Sequence, residues 1–215
     1  MQTPGVGYSA TASTFSDSAR RALSDPGLEF LLYGLQSPIN IGMILRVAET
    51  YRFHVAIYDP FCLLDHPDKL RTISDFSCGA LPRQGFRDLA DDAAIARILR
   101  GRRLIATSIV PTSCALPDFS FCRGDLFALG NEYDGLPDAL LSQADAVLHI
   151  PMPPGFMPKP KALHPIDPDR TAPVARDGQP NLNVAITAGI LCYGAYLRIR
   201  ENDLPMSAAP DVDPT

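Results

Sequence analysis

An arginine opposite the apolar stripe of a helix and a carboxylate in a glycine-bounded turn are the side chains of this 215-residue chain best suited to work on a charged substrate. Arg46 lies in NIGMILRVAETYRF, residues 40–53, where Ile41, Ile44, Leu45 and Ala48 recur at i, i+3, i+4 and i+7. At about 100° per residue Arg46 points roughly away from that stripe, so packing does not require it. Two readings stay open. Arg46 is a solvated helix arginine, or it joins the open helix N-terminus, with Asn40 as N-cap, in holding an anion such as a phosphate. Glu132 stands in the turn GNEYDG, residues 130–135, whose other charge is Asp134. Taken alone, such a group is ordinarily a solvated turn carboxylate.

Periodicity predicts the elements that must position these groups. Residues 126–152 read as strand, turn, helix, strand: the apolar run 126–129 has the composition of a strand buried on both faces, and Gly130 closes it. Pro137 suits the first turn of a helix carrying Leu140 and Leu141, and strand character resumes over 146–150. Both strands end in Gly-rich or Pro-rich loops, which places GNEYDG and IPMPPG on one crevice at the carboxyl edge of a sheet. Strands are also expected at 28–35, 54–59 and 103–108, and helices at 67–76 and 88–99. That alternation predicts an α/β domain with a mainly parallel sheet over residues 27–200.

Residues 1–26 and 201–215 read as flexible tails. The GVGYSA letters at 5–10 match a dinucleotide fingerprint, but no strand precedes them and no helix pattern follows. Residues 151–180 hold nine prolines, which exclude a regular helix or central strand, and four Lys and Arg. A long inserted loop over 153–180 is the expectation, as a spacer or a functional arm. From Val184 to Leu197 the chain carries no charge, so a helix there should be buried nearly all round. One domain of this size hardly surrounds it, and a homodimer interface is the economical explanation.

A net charge of −5 argues against a protein that coats nucleic acid through a broad basic field. The five cysteines form no CxxC pair and have no His at ligand spacing, which predicts reduced thiols in a cytoplasmic protein and no metal site. No apolar run reaches the roughly 20 residues of a membrane span, and no basic start with an apolar stretch marks a secretory signal.

Three stretches, NIGMILRVAETYRF at 40–53, LFALGNEYDGLPDALLSQADAVLHIPM at 126–152 and NLNVAITAGIL at 181–191, stand in the order of the three motifs of the SpoU/TrmH family of RNA ribose 2′-O-methyltransferases, which this chain resembles over residues 28–200. The resemblance implies an α/β fold whose C-terminal segment threads a deep trefoil knot, and a homodimer acting on tRNA or rRNA without a metal. It implies S-adenosylmethionine as cofactor, contacted largely by main chain at Leu129, Gly130, Ile150, Met152 and Leu182, with Thr107 beside them. Arg46 matches the arginine thought to activate the ribose hydroxyl or hold the adjacent phosphate, and Asn40, Glu132 and Asn183 match the residues that shape the site. The chain departs from the family at Asn181 and Ala185, where serines are usual, and in the long proline-rich segment. A non-catalytic RNA-binding or scaffolding dimer is therefore the alternative.

Overall fold

The computed structural model describes residues 26–153 and 182–201. The two expected tails and the proline-rich loop lie outside the described residues, apart from Pro26, Pro153 and Glu201. Seven strands form one sheet: β1 (Glu29–Tyr33), β2 (His54–Tyr58), β3 (Arg87–Leu89), β4 (Leu104–Thr107), β5 (Cys114–Ala115), β6 (Leu126–Leu129) and β7 (Ala146–His149). Their order is β3-β2-β1-β6-β4-β7-β5, and every strand pairing is parallel.

The helices are α1 (Pro38–Tyr51), α2 (Pro67–Ser77), α3 (Ala80–Gln84), α4 (Asp92–Leu99), α5 (Asp138–Leu141) and α6 (Val184–Glu201). Alternation along β1 shows why two layers of helix are needed. Phe30 and Leu32 face Ile41, Ile44 and Leu45 of α1, Ile73 of α2, and Ala188 and Leu191 of α6. Leu31 faces the other way, with Ala56, Ala106 and Ala128, onto Ala94, Ile95 and Ile98 of α4 and Leu140 of α5. A strand buried on both faces reads as continuous apolar sequence, and LFAL of β6 is buried at all four positions.

Several expectations need correction. The predicted helix over 88–99 is two elements: Arg87, Asp88 and Leu89 pair with β2 as an edge strand, and the helix starts only at Asp92. Asp91 caps it, its carboxylate accepting the Ala94 N–H at 2.7 Å. Asn40 is not the N-cap of α1. Ser37 is, with Pro38 in the first turn, and its hydroxyl accepts the Asn40 N–H at 3.3 Å. Pro137 likewise stands just before α5, in an extended conformation, rather than within its first turn.

Helix α6 is not enclosed on every side within one chain. Ala185, Ala188, Leu191, Cys192 and Ala195 are buried on the sheet side, whereas Ile186, Tyr193 and Leu197 are 47, 53 and 38% exposed. A groove runs between α6 and α1, lined by Met43, Arg46, Val47, Ile186, Ile190 and Tyr193 among others. No described helix is long and apolar enough to cross a membrane.

Candidate active site at the carboxyl edge of the sheet

Parallel pairing brings the carboxyl ends of β1, β6, β4 and β7 side by side, since Leu32 pairs with Leu129, Ala106 with Ala128 and Thr107 with Leu148. The loop leaving β6 turns back sharply: the Asn131 and Gly135 backbones exchange hydrogen bonds at 3.1 and 2.9 Å. Gly130 has no room for a side chain, because a Cβ there would run into the Gly135 carbonyl and the Leu136 nitrogen. The Asn131 side chain fixes the turn further. Its amide donates to the Gly34 carbonyl at the end of β1 at 2.6 Å, and its oxygen accepts the Tyr133 N–H at 2.8 Å. Asn131 is buried and was not among the predicted site residues; the signal was an Asn ahead of a Gly-closed turn.

This turn aims Glu132 at the start of α1. Its carboxylate accepts the Gln36 N–H at 3.0 Å, the Ser37 N–H at 3.3 Å and the Asn40 side-chain amide at 2.8 Å. A carboxylate at a helix N-terminus meets unsatisfied N–H groups and the positive end of the dipole, so the placement is favourable without a cationic partner. Asn40, oriented by Glu132, uses its oxygen to accept the Asn183 amide at 3.0 Å. Asn183 in turn caps α6, accepting the Ala185 N–H at 2.8 Å and the Ile186 N–H at 3.4 Å. Residues 40, 132 and 183, far apart in sequence, thus form one hydrogen-bonded chain. Ala185 is buried, and its own N–H is one of the two that Asn183 caps.

Arg46 is not in that chain. It is exposed, follows Asn40 by six residues on α1, and so lies about 9 Å further along the axis. There it lines the groove with Ile186 and Tyr193, and its side chain makes no hydrogen bond or ion pair among the described residues.

Of the predicted main-chain positions, Leu129 ends β6, Gly130 follows it, and Ile150 and Met152 follow β7 on the neighbouring side of β4. Leu182 stands just ahead of α6. Thr107 ends β4, but its hydroxyl donates to the Ala128 carbonyl at 2.8 Å and is committed to the strand pair. Among the described residues no group of three His, Cys, Asp or Glu side chains is assembled as a metal site.

An α/β sheet of this order gathers a polar network at its carboxyl edge, the edge at which open parallel sheets bind ligands. Residues 27–157 match the SpoU rRNA Methylase family, and the chain belongs to that family. A 23S rRNA (guanosine-2′-O-)-methyltransferase, RlmB, of Neisseria meningitidis serogroup B is 30% identical over 137 residues, covering 60% of this chain and 51% of the relative. The chain thus spans about half the length of that curated relative. A solved structure described as showing the 2-OH methylation of C/U34 on tRNA superposes with a TM-score of 0.63 at 25% identity, over 82% of this chain and 99% of the other. The SpoU methyltransferase AviRb of Streptomyces viridochromogenes, solved with AdoMet, gives 0.57 at 21% identity over 83% of this chain and 59% of its own, a likeness of fold.

Proposed function

We propose that this chain transfers a methyl group from S-adenosylmethionine to a ribose 2′-hydroxyl of tRNA or rRNA, working in the cytoplasm as a homodimer with its C-terminal segment threaded as a trefoil knot. The hydrogen-bonded chain from Glu132 through Asn40 to Asn183 carries the reading, because it unites one residue from each of the three motifs at the sheet's ligand-binding edge. The family and the relatives that act on tRNA and rRNA support it.

The carboxyl ends of β6, β4 and β7 fit an adenosine-like cofactor, since a tight glycine turn and strand ends offer main-chain groups at close range without fixed charge. Leu129, Gly130, Ile150, Met152 and Leu182 would hold it. When bound, the cofactor supplies an electrophilic methyl on a sulfonium. A ribose hydroxyl is a weak nucleophile at neutral pH, so the protein must align it and stabilise the negative charge that grows on its oxygen. Arg46, exposed and unpaired among the described residues, holds the phosphate beside the target ribose and lends positive charge to that oxygen. Glu132, with three of about four acceptor positions filled, acts as a brace for Asn40 and the Gly130 turn rather than as a free base.

A second copy fits the groove between α1 and α6. It would cover Ile186 and Tyr193, which a single chain leaves open, and would enclose Arg46 at the subunit boundary. Basic residues of the 153–180 segment, with Arg20 and Arg21, would add RNA contacts.

Calorimetric titration with S-adenosylmethionine and with its demethylated product tests the cofactor part. Micromolar binding of both is the predicted outcome. No heat up to millimolar cofactor would overturn it and leave the non-catalytic RNA-binding dimer as the reading of this fold.

A further inference from the structure

The loop that leaves β2 presents an exposed aromatic ring at the same edge of the sheet. Phe61 is 48% exposed and Phe76, on α2, is 42% exposed, whereas Phe30, Phe53, Phe119, Phe121 and Phe127 are buried. Its position is built rather than frayed. The Asp59 carboxylate accepts the Phe61 N–H at 3.3 Å and the Leu64 N–H at 2.7 Å, the Asp59 carbonyl accepts the Cys62 N–H at 3.3 Å, and buried Leu63 anchors the turn below. Cys62 takes the left-handed conformation, φ 54°, to complete it.

The Phe61 ring lies against Gly34, where a Cβ would stand 3.4 Å from its Cε2. Gly34 is the residue whose carbonyl accepts the Asn131 amide, so Phe61 borders the turn that carries Glu132. We infer that Phe61 is a stacking platform for an unpaired nucleobase of the RNA, next to the nucleotide being methylated. The inference rests on the RNA methyltransferase reading and deepens it. Unpaired bases are recognised by stacking on aromatic side chains, and every base has a face that can do so. A stacking contact needs no charge, which suits an acidic chain with no broad basic field.

The chain contains no tryptophan, so Phe61→Trp creates a single-site fluorescent reporter. Wild type, Phe61→Ala and Phe61→Trp are titrated with bulk tRNA and rRNA from cells lacking the protein, and separately with S-adenosylmethionine. The predicted result is RNA binding weakened about ten-fold by Phe61→Ala, retained by Phe61→Trp, and accompanied by quenching of the new tryptophan. Cofactor affinity stays the same in all three. Tight RNA binding by Phe61→Ala, or an unquenched tryptophan at saturating RNA, overturns the stacking role while the wild-type titration leaves the RNA reading standing. Failure of wild type to bind either RNA overturns both.

Discussion

At the amino edge of the sheet, carboxylates meet guanidinium groups; at the carboxyl edge, Glu132 meets only neutral donors. Glu29, which opens β1 and is 3% exposed, pairs with Arg102, and Arg102 also donates to the Gly124 and Gly27 carbonyls at 2.9 and 3.1 Å. Asp125, fully buried just ahead of β6, takes a bidentate pair from Arg103 at 2.9 and 2.7 Å, and that hydrogen-bonded carboxylate holds the guanidinium above its ordinary pKa. The charges of this cluster cancel, and it joins β1, β4 and β6 at their starts. Glu132 is braced by two backbone N–H groups and one amide, with no cationic side chain among those donors. Equal residue types therefore stand in a scaffold at one edge and in the candidate site at the other, with guanidinium donors in the first and neutral donors in the second.

The largest effect should come from Arg46→Ala. Methyl transfer is predicted to fall about 10²- to 10³-fold with cofactor affinity unchanged, because the exposed side chain stands apart from the strand ends proposed to hold the cofactor. Full turnover in that variant would remove Arg46 from the mechanism. Asp125→Ala and Glu132→Gln set the two edges against each other. The first strands Arg103 in a partly buried place and should cost ~3–5 kcal/mol in chemical unfolding, with turnover per folded molecule retained. The second sets an amide NH2 against at least one of the three donors, should cost about 1–3 kcal/mol of stability, and should lower turnover by an order of magnitude or more. If denaturation shows equal losses and Glu132→Gln keeps its turnover, the contrast between edges collapses.

A smaller effect concerns pH. Burial pushes the Tyr33 and Tyr58 hydroxyls above their ordinary pKa of 10.0, with each ring near the other and Asp92 nearby. Because the folded values are raised, the stability they contribute is complete below pH 10.0 and is lost as pH rises through the folded values. Replacing both with Phe should flatten the alkaline limb of a stability profile measured by thermal melts.

Much of the fold was legible where burial on both faces leaves continuous apolar sequence. LFAL is a strand with the bounds its composition suggests, and the stripe of α1 is the packed face. The edge strand β3 was not, since Arg87-Asp88-Leu89 buries one residue of three and blends into the periodicity of α4. β5, two residues long, has no pattern to read. The cap of α1 was misplaced because Asn40 and Ser37 are both good caps, and Pro38 decides for Ser37. Lack of charge in α6 was read as all-round burial, but it marks two faces with different partners, the core and the open groove.

At the site, Glu132 looked like a solvated turn carboxylate until α1 folded over it. Its three donors lie more than 90 positions away, and no local pattern announces them. Asn131 escaped for the same reason, since its partner Gly34 lies 97 positions earlier.

The most direct test incubates the protein with S-adenosylmethionine and RNA from cells lacking it, then digests the RNA to nucleosides for mass spectrometry. A new 2′-O-methylated nucleoside is expected with wild type and almost none with Arg46→Ala. A methyl on a base, or no transfer to any tRNA or rRNA despite cofactor binding, would contradict it.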